Sequence, residues 1–178
     1  MKRTLFVIIG FLVLSSLLGC ATTRLRSELI LNDEYFEVAH SQIQKAEESI
    51  YLIAYLFLVY DYQDAYSNRL LKDLIEAHKR GVEVHVILDY PKPEYMGEEG
   101  PSRNQEVYEK LKEAGIDVRF DSAEKRTHNK VLVVDRETVI VGSHNYSFDG
   151  LKYNNETSLL IRDRNKAKRM IEYFEGIE

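Results

Sequence analysis

The stretch His128-Asn129-Lys130-Val131-Leu132-Val133-Val134-Asp135 is followed, after Arg136-Glu137, by Thr138-Val139-Ile140-Val141-Gly142-Ser143-His144-Asn145. Two apolar, β-branched runs, 130–134 and 138–141, flank the polar residues 135–137. That pattern predicts two strands joined by a tight turn. Residues two apart on a strand point to the same side. His128 and Lys130 are therefore expected to project together. Asp135 is an odd number of residues from both and should face away, as a support.

Neutral imidazole is a nucleophile and a proton carrier near pH 7. An ammonium group is a point charge suited to a phosphate oxygen. Asn145 adds an amide donor after the Gly142-Ser143 turn, where backbone can approach a ligand closely. Donors around a nucleophile suit an anionic, phosphorus-centred transition state. No carboxylate cluster and no Cys/His set marks a metal site, so side chains alone would handle the charge.

Outward from this stretch, apolar spacing predicts alternating elements. Helices are expected at 34–48 (capped by Asp33), 66–79 (stopped by Gly81), 102–114 (ended by Gly115) and 164–175. Strands are expected at 49–59, 82–88, 116–120, 130–134, 138–141 and 156–161. All three prolines lie in 91–101 with Gly97 and Gly100, which predicts a loop. The whole reads as α/β, a mixed β-sheet flanked by helices in an α/β sandwich. No internal repeat is visible.

The chain has 178 residues with a formal net charge of -5, 44% apolar and 30% charged residues. This balance excludes an intrinsically disordered chain, a collagen-like fibre and a polytopic membrane protein. One cysteine excludes a disulfide framework and a Cys-rich zinc site. Mild acidity argues against holding nucleic acid by bulk charge.

Residues 1–19 read as an address. Lys2 and Arg3 precede an apolar run from Leu5 to Leu18, shorter than the ~20 residues of a spanning helix. Leu17-Leu18-Gly19-Cys20 resembles the lipobox of bacterial lipoproteins, which implies cleavage before Cys20 and lipidation of its thiol. The other reading is an uncleaved signal anchor. Both place the body outside the cytoplasmic membrane, exported to the bacterial cell envelope and tethered at its N-terminus. Residues 20–32 are expected to form a linker or tether, or from Arg24 a short first element, and 33–178 the catalytic domain.

With these residues in place, the sequence resembles the phospholipase D superfamily. That family's motif is H-x-K-x4-D followed by G-S-x-N, met here by His128, Lys130, Asp135, Gly142, Ser143 and Asn145. The resemblance runs from about Tyr51 to Phe174. It includes Arg80-Gly81-Val82 before a strand ending at Asp89, and Asn155-Glu156 before another. It implies a phospholipase D-like fold and a metal-independent phosphodiesterase, without a cofactor, that acts through a phosphohistidine. Carried over, His128 is nucleophile or general acid, and Lys130 and Asn145 hold phosphate oxygens. Ser143 adds a hydrogen bond, and Glu156 orients the histidine ring. Asp135 and Gly142 are structural. The chain has one motif while the mechanism needs two histidines, so the resemblance implies a homodimer with the site on its two-fold axis.

The expected substrate is nucleic acid, as for the largely nonspecific endonucleases among small single-motif relatives. The alternative is a phospholipid head group. A third reading is a non-catalytic, phosphate-binding envelope lipoprotein, which predicts a damaged motif. Other features are read plainly. His144 is the competing second histidine. His85 is a satisfied sheet residue, and His40 and His78 are exposed on helices. Tyr51, Tyr55, Phe57, Tyr60 and Tyr62 are mostly core. The basic residues from Arg162 to Arg169 form a solvated helix start, whereas Arg119, Lys125 and Arg126 suit backbone phosphates. The sequons at Asn145 and Asn155 are read as accidental.

Overall fold

A computed structural model describes residues 26–90 and 104–178. Seven strands and five helices follow one another as β1 (Arg26–Leu31), α1 (Glu34–Lys45), β2 (Ser49–Ala54), α2 (Tyr66–Lys79), β3 (Glu83–Leu88), α3 (Gln105–Glu113), β4 (Asp117–Phe120), β5 (Lys130–Val134), β6 (Thr138–Gly142), α4 (Phe148–Lys152), β7 (Thr157–Arg162) and α5 (Arg164–Glu175). The sheet order is β1-β7-β6-β5-β2-β3-β4. Strands β2, β3 and β4 run parallel, and the other neighbouring pairs are antiparallel. This is the mixed, helix-flanked sheet that the sequence predicts.

Strand β2 is buried along its whole length, as a central strand covered on both faces must be. Ile50, Leu52 and Ala54 join Leu132, Val134, Ile140 and Leu160 under α1, α2 and α3. Tyr51 and Ile53 point to the opposite face, with Val131, Val133 and Val139, beneath Ala167, Ile171 and Phe174 of α5. The helix stops at Gly81 and Gly115 adopt φ +97° and +82°, a left-handed conformation that favours glycine. Asp163 caps α5 by accepting from the backbone N–H groups of Asn165 and Lys166.

The structure corrects several expectations. The segment 20–32 is not wholly a linker: Arg26–Leu31 is an edge strand paired antiparallel with β7. Strand β2 ends at Ala54 rather than Val59, because the Tyr55 N–H turns to the Asn129 carbonyl and the Phe57 N–H to the Asn104 side chain. Helix α1 ends at Lys45, where the N–H groups of Glu47, Glu48 and Ser49 leave the helix for the Asp135 carboxylate. His40 and His78 are half-buried rather than exposed. His40 Nδ1 lies 2.6 Å from Asp73 Oδ2 and ties α1 to α2. The expected address at 1–19, Cys20 and the loop at 91–101 lie outside the described residues.

Candidate active site

The site forms at the sheet edge where β2 and β3 end, β5 starts and β6 finishes. Lys130 opens β5 opposite Ala54, the last residue of β2. His128 precedes it by two positions and continues the extended chain, with the Asn129 carbonyl accepting from the Tyr55 N–H at 3.0 Å. His128 and Lys130 project to the same side, as alternation along the strand predicts. Lys130 Nζ donates to the His128 carbonyl at 2.9 Å and lies 3.3 Å from His128 Nε2. An ammonium has only donors, so Nε2 is the acceptor and keeps its lone pair outward from the ring. The histidine is exposed while Lys130 is buried to 6% exposure.

Burial and two neighbouring cations favour the uncharged form of this imidazole. Desolvation, then Lys130 and Arg126, lowers the His128 pKa. The Lys130 pKa is also lowered, by desolvation, against which the carboxylates of Glu156 and Asp89 act to raise it. A neutral nucleophile beside a partly shielded cation is an arrangement prepared for an anionic phosphorus centre.

Tyr55 belongs to this site, although the sequence placed it with the core. Its ring centroid lies 4.3 Å from that of His128 and 4.6 Å from Lys130 Nζ, and Arg126 lies 5.6 Å from it. The π-face of one half-buried ring thus carries both catalytic candidates and a further cation. Its position just past the end of a central parallel strand was the signal available, since ligand sites gather there.

Ser143 and Glu156 meet directly, the Ser143 hydroxyl donating to Glu156 Oε2. Glu156 Oε1 accepts from Asn154 Nδ2 at 3.1 Å. The side-chain partners of Glu156 are thus Ser143 and Asn154. Its carboxylate acts here on the charge of Lys130. Asn145 stands on the loop after β6, and its Oδ1 is buried with no hydrogen-bond partner among the described residues. That loop is pinned to the one after β2: the Tyr146 N–H donates to Leu56, and the Leu58 N–H to Tyr146. Gly142 is required by close packing, because a Cβ there would lie 2.1 Å from Ser158 Oγ and 2.4 Å from the Thr157 carbonyl.

Asp135 faces away, as predicted. Its carboxylate accepts the N–H groups of Glu47, Glu48 and Ser49 at 2.8–3.1 Å and joins the α1–β2 turn to the β5–β6 hairpin. His144 is not a second catalytic histidine. It is buried, stacked on Tyr35 at 4.4 Å, and bonded to Ser158 Oγ and the Asn32 carbonyl. His85 is satisfied by Asp117 at 2.7 Å. Asn104, which belongs to no motif, is buried and holds three partners across two loops: the Tyr55 and Asp89 carbonyls and the Phe57 N–H. Among the described residues no group of three His, Cys, Asp or Glu is placed to hold a metal ion. No helix among them is long and apolar enough to cross a membrane.

Comparison with known proteins agrees with this geometry. Residues 40–177 match the family described as cardiolipin synthase, PLD-like domain. A phospholipase D of Rickettsia prowazekii is 36% identical over 132 residues, covering 74% of this chain and 56% of that protein. The mitochondrial cardiolipin hydrolase of Mus musculus is 34% identical over 100 residues, 56% of this chain and 42% of that protein. The chain therefore spans about half the length of these curated relatives. Among solved structures, Nuc from Salmonella typhimurium, a phospholipase D family member, superposes with a TM-score of 0.68 at 25% identity. That match covers 84% of this chain and 93% of Nuc. Helix-flanked sheet, His128–Lys130 pair and matched domain converge: this chain belongs to the phospholipase D superfamily.

Proposed function

We propose that the chain is a phosphodiesterase that needs no metal ion and works through a phosphohistidine. The observation that carries this reading is the exposed imidazole of His128 with Lys130 Nζ 3.3 Å from its Nε2. Nε2 attacks phosphorus and one P–O bond breaks. The departing oxygen takes a proton from a second imidazole held as imidazolium; that ring, now neutral, deprotonates the water that attacks phosphorus, and the P–N bond breaks to release neutral His128. Lys130 and the Asn145 amide hold the non-bridging oxygens. A single chain supplies one such histidine, so the second comes from His128 of another copy in a homodimer.

The substrate we favour is nucleic acid, cleaved without sequence preference. The exposed Lys125 and Arg126, just before His128, suit flanking backbone phosphates. A phospholipid head group is the second reading, supported by relatives named phospholipase D and mitochondrial cardiolipin hydrolase. The body is exported and held at a membrane through its N-terminus, by lipid on Cys20 or by an uncleaved anchor.

The test uses the full chain in detergent with a chelator present. Plasmid cleavage and head-group release from phospholipid vesicles are measured side by side, for wild type and His128→Ala. Cleavage of one substrate, abolished in the variant, is the expected result. Neither activity, or turnover that survives the substitution, removes the reading.

A further inference from the structure

A buried ammonium ordinarily needs an opposite charge beside it. Lys130 is 6% exposed, yet among the described residues it forms no ion pair. Three contacts surround its Nζ: the His128 carbonyl at 2.9 Å, His128 Nε2 at 3.3 Å and the ring of Tyr55, with the centroid 4.6 Å away. Desolvation lowers the Lys130 pKa, and the carboxylates of Glu156 and Asp89 offset this only in part, through charge. The remaining charged neighbours, Arg126 and a protonated His128, are cations.

Tyr55 is built to stay where it is. Its N–H donates to the Asn129 carbonyl, between the two catalytic candidates, and its own carbonyl accepts from Asn104 Nδ2, each at 3.0 Å. Main-chain bonds on both sides of the residue thus fix the ring at the mouth of the site. The ring, rather than the hydroxyl, then meets Lys130, His128 and Arg126. An aromatic face carries the negative end of a quadrupole and attracts cations.

We propose that Tyr55 is a positioning residue whose π-face stands in for a carboxylate, holding the Lys130 ammonium against His128 while leaving its charge available to a phosphate oxygen. The inference rests on the phosphodiesterase reading above. A carboxylate in this place would form a charge-assisted bond to Nζ and compete with the substrate phosphate for the same donor. A ring face takes up no lone-pair partner. An ammonium has three N–H donors, and His128 accounts for two, so one is left for the ligand.

The experiment compares full-length wild type in detergent with Tyr55→Leu, Tyr55→Phe and a protein carrying trifluorophenylalanine at position 55. Fluorine withdraws electrons from the ring and abolishes its negative face with little change of shape. Turnover is measured on a small chromogenic phosphodiester and fold by circular dichroism. The titration of Lys130 is followed by the NMR signal of the methylene beside Nζ, assigned by its loss in Lys130→Met. The expected result is a kcat at least 10-fold below wild type for Tyr55→Leu, most of it recovered by Tyr55→Phe and lost again on fluorination. Lys130 should titrate about half a pH unit or more lower in the Leu and fluorinated proteins, because only the charged amine loses an attraction. A fluorinated protein that matches Tyr55→Phe in both readouts overturns the proposal, since the ring would then act by shape alone. Tyr55→Phe as slow as Tyr55→Leu also overturns it, since the hydroxyl would then be the working group. A wild type inert on the diester removes the phosphodiesterase reading, and the Lys130 titration still decides on Tyr55. If Tyr55→Leu fails to fold, the pair with and without fluorine decides.

Discussion

His144 Nε2 lies 2.8 Å from the carbonyl oxygen of Asn32, so the last turn of the edge strand holds the loop that presents Asn145. The same asparagine accepts the Glu156 N–H through its Oδ1 and has φ +51°, a left-handed conformation asparagine tolerates. One residue at the end of β1 thus fixes both the amide and the carboxylate of the site. His144 Nδ1 meets Ser158 Oγ at 2.6 Å, so its ring is bonded at both nitrogens.

Replacing His144 should therefore behave as a structural change with a catalytic consequence. His144→Ala leaves a cavity beside Tyr35 and two unpaired polar groups, at a cost of about 2–4 kcal/mol. Denaturant melts measure that. The same ring makes stability depend on pH. Burial lowers its pKa, with weaker upward effects from Asn32 and Glu156. Above roughly pH 6.5 both folded and unfolded states are neutral and stability is full. As pH falls below that value the unfolded chain takes up a proton that the folded chain refuses, and stability declines. His144→Ala should show a shallower decline between pH 6.5 and 5 than wild type; an identical slope would contradict this account.

Lys130→Met keeps the length and apolar stem of the side chain and removes the ammonium. The expected loss in kcat/KM is roughly 10²–10³-fold, the effect of deleting one positioned donor to an oxyanion. The His128 pKa should rise at the same time, because a neighbouring positive charge is gone. Titration of the histidine proton resonances checks the second outcome independently of turnover, and an unmoved His128 would show that the two groups are not coupled.

The acid limb of the pH–rate profile should lie below the ordinary imidazole value of ~6.5. Desolvation, Lys130 and Arg126 all favour the neutral ring, so the nucleophile stays competent as pH falls until that lowered pKa is crossed. With two imidazoles sharing a pocket, the two limbs belong to the pair rather than to one residue. Arg126→Gln removes one of the cations and should move the acid limb to higher pH. A wild-type limb at or above 6.5 would refute the proposed state of the ring.

What the sequence disclosed and what it hid follow from the range of each interaction. The hairpin, the His128–Lys130 pairing and the outward turn of Asp135 rest on alternation along one strand, a local rule. The stops at Gly81 and Gly115 are also local. Strand β1 was obscure because its pairing with β7 joins residues far apart in sequence, and because Leu29 and Leu31 give it no buried alternating face of its own kind. Helix α4 is a single short turn, capped by Ser147, with too few residues for periodicity to appear. Tyr55 reads as core from the apolar run that precedes it, and only the end of β2 at Ala54 brings it to the site. Glu156 matched a family position, but its partners, Ser143 and Asn154, depend on how two loops meet.

Asn104 gives the last test, of the scaffold rather than the chemistry. Its amide donates to the Tyr55 and Asp89 carbonyls at 3.0 and 2.9 Å, and its Oδ1 accepts from the Phe57 N–H at 2.8 Å. The side chain is buried, so water replaces none of these partners cheaply. Asn104→Ala should cost about 2–4 kcal/mol, from three backbone groups left without their bonds. The loop after β2 carries Tyr55, and Tyr55 supports both His128 and Lys130. Turnover measured well below the melting temperature should therefore fall through kcat. Asn104→Asp should not rescue it, because a carboxylate would face two carbonyl oxygens. If Asn104→Ala lowers the melting temperature but keeps full kcat, the position of Tyr55 does not depend on this tie, and Tyr55 is held by its contacts with the strand alone.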